Sequence, residues 1–246
     1  HAPASVKLRF EHAIDVATGG AAPPTPVIEA MEGMGFRVTH LYGLTESYGP
    51  ATLCAWQDAW AALPLTARAQ KMARQGVTMP TLAQFQVGDP ETGEAVPRDG
   101  QTLGEVMLRG NTIMKGYLRN ENATTDAFRH GWYHSGDLAV WHPDNYIEIK
   151  DRSKDIIITG GENVSSLEVE ECLYRHPHVM EAAVVARPDA KWGETPCAFV
   201  TLKPDAPEVA SADLIAWCRE RIAHFKAPKT IVFGPLPKTA TGKIQK

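Results

Sequence analysis

The segment IEIKDRSKDIIITGGENVSSLEVE, residues Ile147–Glu170, marks a change in the type of secondary structure that the sequence predicts, and it decides the predicted fold. Before it the chain is mostly extended, and within it a strand, a glycine turn and a helix follow one another. Ser165, followed three residues later by Glu168, predicts a capping box at the start of that helix. Because no flexible linker interrupts the segment, we predict two domains that meet inside it, residues 1–151 and residues 152–246.

The part after Glu170 predicts a compact unit of mixed strands and helices. Two strands follow the first helix, and SADLIAWCRERIAHF then predicts a second helix before a last strand around Ile231–Phe233. Such a helix should lie on a sheet, because its apolar side chains share one face. The residues of that face are Leu214, Ile215, Cys218, Ile222 and Phe225.

The part before Ile147 predicts an α/β sheet followed by a mostly β region. Residues 5–46 read as a strand ending near Thr18, a glycine-rich turn, a helix from about Pro24 and a strand ending near Tyr42, as in the middle of a parallel sheet. Short helices are predicted at LPLTARAQKMARQG and NENATTDAF. The turn residues HPDN predict a hairpin between two extended runs in residues 132–152.

Composition narrows the class of protein. The chain has 246 residues, 43% hydrophobic and 22% charged, as in a globular protein with a real core. Its 25 basic and 29 acidic residues give a formal charge of -4, which argues against nucleic acid or an anionic membrane as a partner. The sequence has no run of membrane-spanning length and no secretory signal, so a cytoplasmic location is expected. Four distant cysteines without a CxxC pair are expected to be reduced and buried.

Two short motifs follow the predicted strands of the first domain. TGG, at Thr18–Gly20, lets the backbone approach a flat or anionic ligand, although an ordinary βα turn is the plainer alternative. YGLTE, at Tyr42–Glu46, offers a ring that can stack on a base, a hydroxyl that can bind a phosphate and a carboxylate that can hold Mg²⁺. Its alternative is a loop with a partly buried tyrosine and an exposed glutamate.

Two further motifs flank the junction. Asp137, in a tight segment between strands, and Arg152, at the end of the hairpin, suit the hydroxyls of a ribose, with a surface ion pair as the alternative. TGGEN, at Thr159–Asn163, is a second glycine turn, for which a plain strand-to-helix connection is the alternative. None of these motifs decides a function alone.

Their order and spacing resemble one family. GGAAP, YGLTESYGP, GEVMLRGNTIMKGY, WYHSGDLA, the Ile147–Glu170 segment and LPKTATGKI are similar, along essentially the whole chain, to successive signatures of adenylate-forming acyl-CoA synthetases. The resemblance implies a large domain, a sheet plus a small β-barrel-like subdomain, followed by a small α+β lid. It also implies an ATP-dependent ligase that activates a carboxylic acid as acyl-AMP and then transfers the acyl group to coenzyme A.

Carried over position by position, the resemblance implies the nucleotide and catalytic residues. It places Thr45 at the α-phosphate, Glu46 on Mg²⁺, and Lys243 in the adenylation step, brought in by the lid. The nucleotide-binding residues that it implies are Gly19, Gly20, Ala21 and Tyr42 around adenine, and Asp137 and Arg152 on the ribose.

The resemblance also implies roles in the lid. Lys154 matches the hinge, although many members carry aspartate there, and Gly160 and Gly161 line the tunnel for pantetheine.

The acid is read from the residues after YGLTE. Ser47, Gly49 and Ala51 are expected to leave room for the acyl chain, with Trp56 closing one side or simply packing under the loop. This region most resembles members acting on short or medium-chain fatty acids, including methylthio-propionate, and some aryl acids; a short or medium-chain aliphatic acid is expected ahead of an aryl acid.

One departure from the family leaves alternatives open. The phosphate loop that precedes GGAAP in the family is not found here, so we expect the sequence to be the C-terminal part of a longer enzyme and to be inactive by itself. A carrier-protein-loading adenylation enzyme and an inactive nucleotide-binding fragment remain alternatives. A homodimer is also left open.

Overall fold

The protein is described by a computed structural model, which covers residues 11–240 and 242–246. The chain divides into two compact units between Ile149 and Lys150. The sequence places this boundary two residues later, after Asp151. Each unit is described by itself, and the expected strand over residues 5–10 lies outside the described residues.

The first unit contains two four-stranded sheets and short helices. The strands are β1 (Ile14–Thr18), β2 (Phe36–Leu44), β3 (Gly49–Leu53), β4 (Val77–Thr78), β5 (Gln84–Gly88), β6 (Leu103–Arg109), β7 (Tyr133–Trp141) and β8 (Ile147–Arg152), which runs past the boundary. The helices are α1 (Thr25–Gly33), α2 (Leu65–Met72) and α3 (Glu121–Ala127). These helices confirm those predicted from the sequence.

The first sheet has the order β1-β2-β3-β4. β1 and β2 run parallel, with Thr18 opposite His40, whereas β3 and β4 add antiparallel strands. Within the described residues the predicted parallel sheet is therefore limited to one strand pair. The helices α1 and α2 supply Ile28, Ala69 and Met72 to the core on this sheet.

The second sheet has the order β5-β6-β7-β8. β5, β6 and β7 pair antiparallel, and an isolated bridge joins Gly76, beside β4, to Ile147 of β8. The predicted HPDN turn is confirmed, because the amide of His142 bonds to the carbonyl of Tyr146 and Asn145 takes the left-handed φ of 68°. Asparagine tolerates this conformation better than most residues.

The second unit is a mixed sheet with two helices. Its elements are β9 (Ile157–Thr159), β10 (Glu162–Val164), α4 (Ser166–Tyr174), β11 (Val179–Asp189), β12 (Gly193–Leu202), α5 (Ser211–Arg219) and β13 (Thr230–Phe233). The sheet order is β10-β9-β12-β11, and β13 lies parallel to β12. This arrangement confirms the expected α+β fold.

The two helices of this unit correct two details of the sequence analysis. α5 ends at Arg219, so Ile222 and Phe225 of the predicted face lie beyond the helix, and Phe225 is 45% exposed. Of that face only Leu214 and Cys218 are fully buried. At the start of α4 the Ser165 hydroxyl accepts the Glu168 amide, but the Glu168 carboxylate binds Lys226 instead of returning to Ser165. The cap is therefore one-sided.

The four cysteines are free and buried, as expected. Cys172 and Cys218 belong to the core of the second unit and Cys54 to the core of the first.

Candidate active site

The glycine turn after β1 lies against the end of β2. A Cβ on Gly19 would come within 3.0 Å of the Leu41 carbonyl oxygen, so a larger residue would push the two strands apart. Gly20 has a φ of +87°, which glycine adopts without strain, and Ala21 is exposed beside it. The turn therefore presents backbone, with no bulky side chain, beside Leu41 of β2.

The YGLTE motif covers the last residues of β2 and a 3₁₀ turn at Thr45–Ser47. Thr45 is exposed, Glu46 is half-buried, and Ser47 is buried with its hydroxyl bonded to backbone atoms of Leu44 and Gly49. The Ser47 hydroxyl thus closes the loop that carries Thr45 and Glu46. β1 and β2 run parallel, and Thr18 at the end of β1 pairs with His40, so β2 continues for four more residues, to Leu44, before this loop begins.

Tyr42 and Asp137 meet in the interior of the first unit. The Tyr42 hydroxyl donates a 2.7 Å hydrogen bond to Oδ2 of Asp137, and both residues are buried. Burial first, and then the neighbouring carboxylate, raise the pKa of Tyr42 well above its ordinary value. The phenol therefore stays protonated and remains a donor to the carboxylate.

The position of Asp137 corrects the sequence analysis. Asp137 lies inside β7 and not in a segment between strands, and it is only 5% exposed, so the surface ion pair does not fit. The strand is interrupted there by a bulge: His134 is opposite Met107 and Leu138 is opposite Glu105, so three residues of β7 face Val106 alone. Gly136, at the centre of the bulge, has a φ of 74°. Bulges of this kind re-aim a side chain.

Glu105 holds the bulge, although it belongs to none of the sequence motifs. Its Oε1 accepts the Gly136 amide at 2.7 Å, and its Oε2 lies 2.7 Å from Nδ1 of His134. The other ring nitrogen of His134 lies 3.2 Å from the Arg129 carbonyl. A buried glutamate within the apolar run LGEVML was the available signal, since a carboxylate is seldom buried without partners.

Glu46 has a tyrosine partner from another segment. The Tyr117 hydroxyl donates to Oε1 of Glu46 at 3.1 Å, and the Met114 amide donates to the Glu46 carbonyl. Burial raises the pKa of Tyr133, which bonds Tyr117 in turn. The segment GNTIMKGY is therefore fastened to the YGLTE loop.

The residues expected to line an acyl pocket have different environments. Ser47 and Ala51 are buried, Ala51 within the core that includes Tyr42, whereas Gly49 is exposed and has open space where a Cβ would project. Trp56 is half exposed and packs edge-on against Trp60, with 5.9 Å between ring centres.

In the second unit the predicted residues near the junction are exposed. Arg152 ends β8, and its amide donates to Oδ1 of the buried Asp151. Lys154 lies in a 3₁₀ turn at Ser153–Asp155.

Gly160 and Gly161 form the two-residue turn of a hairpin between β9 and β10. The plain strand-to-helix connection is therefore wrong: Thr159 pairs with Glu162, and the two glycines have φ values of 61° and 88°. A hairpin loop of this length takes positive φ at both positions, for which glycine is suited. The three-residue β10 was too short to be seen in the sequence.

An aromatic ring and two lysines surround this hairpin. The Gly160 amide donates to the Trp192 carbonyl, and a Cβ on Gly160 would come within 2.8 Å of the Trp192 ring. Trp192 is half exposed, and the amino groups of Lys191 and Lys229 lie 4.7 Å and 4.9 Å from its ring centre. The surface thus combines a bare backbone turn, an aromatic face and positive charge.

The end of the chain folds back on itself. Lys238 and Ile244 form an antiparallel bridge, and Gly242, with a φ of 84°, turns the chain between them. The Lys243 amide donates to the Thr239 hydroxyl, while the Lys243 residue is exposed. Lys243 is thus held by its backbone with its ammonium group free to reach solvent or a ligand.

The structure groups some of the predicted residues and leaves others apart. Tyr42 and Asp137 touch, and Thr45 and Glu46 share the 3₁₀ turn that follows β2. Arg152, Lys154 and Lys243 belong to the second unit. Among residues 11–240 and 242–246, no set of three metal-ligating side chains comes together, and no helix is long and apolar enough to cross a membrane.

The chain is similar to known proteins along most of its length. A family model described as AMP-binding enzyme matches residues 3–118, and one described as AMP-binding enzyme C-terminal domain matches residues 168–243. Acetate–CoA ligase CCL3 of Humulus lupulus is 56% identical over 99% of this chain and 44% of its own length. The peroxisomal acetate/butyrate–CoA ligase AAE7 of Arabidopsis thaliana is 56% identical over 97% of this chain and 43% of its own length.

Solved structures agree with these relatives. ATP-bound MatB from Rhodopseudomonas palustris superposes with a TM-score of 0.81 at 30% identity, over 93% of this chain and 43% of that one. The o-succinylbenzoate CoA synthetase MenE from Bacillus subtilis, bound to its acyl-adenylate intermediate, gives a TM-score of 0.77 at 30% identity, over 94% and 44%. This chain spans less than half the length of these relatives. The motifs, the fold and the matches agree: the chain belongs to the adenylate-forming acyl-CoA synthetase family.

Proposed function

We propose that this chain is part of an ATP-dependent acid–thiol ligase that makes acyl-CoA through an acyl-AMP intermediate. In the first step a carboxylate oxygen attacks the α-phosphorus of ATP and pyrophosphate leaves. In the second step the thiol of coenzyme A loses its proton and attacks the acyl carbon, and AMP leaves. The observation that carries the proposal is the match of both units to relatives named as CoA ligases.

The first unit supports nucleotide binding. The backbone of Gly19, Gly20 and Ala21 and the ring of Tyr42 are proposed to enclose a flat base, and the support is that the two glycines add no side chain at the turn. Asp137 is the proposed acceptor for ribose hydroxyls, together with Arg152 from the second unit. The support is that the Tyr42 bond and the Glu105 clamp hold Asp137 in one geometry.

The YGLTE loop supports contact with phosphate and metal. Thr45, with an exposed side chain, is proposed at the α-phosphate, and Glu46 is proposed to hold Mg²⁺. A single half-buried carboxylate fits this ion, since Mg²⁺ is commonly held by one or two carboxylates together with substrate phosphates. When bound, the ion would neutralise phosphate charge.

The second unit supports the two transfer steps. Lys243 is proposed to stabilise the negative charge that develops at the α-phosphate, and Lys154 to lie at the hinge of the lid. The hairpin at Gly160 and Gly161 is proposed to border pantetheine. Trp192 and its neighbouring lysines support binding of an anionic, partly aromatic ligand such as coenzyme A there.

The acid is proposed to be a short or medium-chain fatty acid. Relatives are named for acetate and butyrate, and another, at 48% identity, for benzoate. Gly49 is the proposed open position for the acyl chain, and Ser47 and Ala51 are proposed to shape the same pocket from beneath. Acid-dependent pyrophosphate release with acetate, butyrate and benzoate would rank these acids directly.

The test of the function uses the complete protein, meaning the natural polypeptide that contains these residues. Asp137→Ala should raise the KM for ATP, because the ribose hydroxyls lose a charged acceptor worth about 1.5–3 kcal/mol. Asp126→Ala, an exposed aspartate in α3, is the matched control. Unchanged ATP kinetics in a folded Asp137→Ala protein would count against the nucleotide site, and a product found only on a carrier protein would favour the carrier-loading alternative.

We also propose a cytoplasmic location, although AAE7 is peroxisomal by name. A homodimer is the proposed assembly. Microscopy of a tagged complete protein and light scattering test the two points separately.

A further inference from the structure

Lys246 binds a buried carboxylate and a buried hydroxyl in the second unit. Nζ of Lys246 lies 2.7 Å from Oε1 of Glu170 and 2.6 Å from the hydroxyl oxygen of Ser166, both on α4. The Lys246 side chain is 21% exposed, and Ser166 and Glu170 are buried. Ion pairs between exposed side chains contribute little to stability, whereas the partners of Lys246 are buried.

A second buried carboxylate lies in the same place. Asp151 accepts the amides of Ser166 and Arg152 with its two oxygens, at 2.5 Å and 2.8 Å. Burial raises the pKa of Glu170, Asp151 adds to the rise, and Lys246 opposes it. Lys246 therefore neutralises a site that holds two buried acidic groups.

The contacts connect two segments that carry proposed functional residues. One segment is β8 with the turn after it, which holds Arg152 and Lys154. The other is the terminal hairpin, which Lys238 fastens to Glu181 before Lys243 and Lys246 fastens to α4 after it. Lys243 thus lies between two attachment points.

We propose that Lys246 is a positioning residue. Its contacts with Glu170 and Ser166 hold the terminal hairpin in place, so that Lys243 and Arg152 keep fixed positions within the second unit. The inference rests on the proposed function, because the position of Lys243 matters only if Lys243 acts in the adenylation step. Lys246 acts only through Lys243 and touches no reacting atom.

The test compares Lys246→Ala with Lys246→Arg in the complete protein. Lys246→Ala should slow acyl-AMP formation by about 10²-fold, the scale of a small misplacement of a reacting group. Thioester formation from supplied acyl-AMP and coenzyme A should stay near the unmodified rate. Lys246→Arg, which keeps the charge and can reach both partners, should recover most of the loss.

A structural readout accompanies the kinetics. In Lys246→Ala, the amides of Gly242 and Lys243, which bond to Thr239, should exchange hydrogen faster than in the unmodified protein. Arg175→Ala, which removes an exposed pair with Glu171 in the same unit, should change neither exchange nor rate. If Lys246→Ala does not fold, Lys246→Gln, which keeps hydrogen-bond donors, replaces it in the comparison.

The outcomes separate this inference from the proposed function. Unchanged exchange, or equal losses in both half-reactions, would overturn the positioning role. Normal adenylation in Lys246→Ala beside a large loss in Lys243→Ala would overturn the positioning role alone. Normal adenylation in both variants would overturn the proposed role of Lys243 as well.

Discussion

The Tyr42 hydroxyl and the Asp137 carboxylate, 95 positions apart in the sequence, form a 2.7 Å hydrogen bond in the interior of the first unit. Tyr42 lies in β2 of the first sheet and Asp137 in β7 of the second, so the hydrogen bond connects the two sheets. Because both groups are buried, removing either one costs the other a hydrogen bond that bulk water does not readily replace. The residue proposed to bind adenine therefore also orients the residue proposed to bind ribose.

Tyr42→Phe removes the donor with little change of shape. We expect the first unit to lose about 1.5–3 kcal/mol of unfolding free energy, the range for a hydrogen bond to a charged group. Urea unfolding measures the loss. Tyr48→Phe, at a tyrosine that is 89% exposed, serves as the control and should change stability very little. Equal stability of the two variants would mean that the Tyr42 bond contributes nothing net.

Lys243→Ala removes the exposed ammonium group from the terminal hairpin. In the complete protein we expect acyl-AMP formation to slow by at least about 10²–10³-fold, as for loss of one preorganised donor to developing negative charge. Thioester formation from synthetic acyl-AMP should continue at close to the normal rate. The two half-reactions are measured separately, with Lys203→Ala as control. A variant that loses both half-reactions equally would point to a role of Lys243 in the fold of the lid or in CoA binding.

Gly160→Ala introduces a Cβ where φ is +61° and the Trp192 ring is 2.8 Å away. We expect the second unit to lose about 1–2 kcal/mol from the left-handed conformation alone, and more from the contact with the ring. The thioester step should suffer, whereas adenylation should persist. Gly33→Ala is the matched control, since Gly33 ends α1 with ordinary φ and open space. Normal thioester formation in a folded Gly160→Ala protein would remove the hairpin from the CoA site.

Cys54 provides a test of pH dependence. Burial raises the pKa of its thiol from 9.0 to about 12. Between those values the folded chain keeps a proton that the unfolded chain releases. The contribution of the thiol to stability is therefore complete below pH 9 and is lost as the pH rises toward 12.

The measurement compares unmodified protein with Cys54→Ala from pH 8 upward. The unfolding free energy of the unmodified protein should fall more steeply, by up to about 1.4 kcal/mol per pH unit. Stability curves that stay parallel above pH 9 would show that the thiol is not shielded in this way.

The sequence predicts local features of this protein well and long-range ones poorly. The HPDN hairpin, the helices α2 and α3 and the burial of the cysteines follow from turn residues, periodicity and residue type. The hydrogen bond between Tyr42 and Asp137 could not be predicted from the sequence, because no local pattern indicates which strands of two different sheets come into contact. The place of Glu105 in an apolar strand indicates that its carboxylate is buried, but its partners come from β7, and no local pattern indicates them.

Two errors have clear physical causes. At Gly160 the sequence permits either a ligand-binding loop or a strand-to-helix connection, because the three residues of β10 are too few to predict a strand, and with it a hairpin. Phe225 matched the helical period, but α5 ends at Arg219 and the chain then turns toward β13. Periodicity counts residues and does not register where the backbone leaves the helix.

At the bulge around Gly136, β7 has two more residues than the facing part of β6, which is an even number. The chain advances four positions from His134 to Leu138 while β6 advances two from Met107 to Glu105, so the alternation of inward and outward side chains is the same before and after the bulge. Removing two residues would leave a regular ladder with the same buried faces, whereas removing one would turn every following side chain of β7 over. The tolerance of β7 to deletions within the bulge should therefore alternate between odd and even lengths.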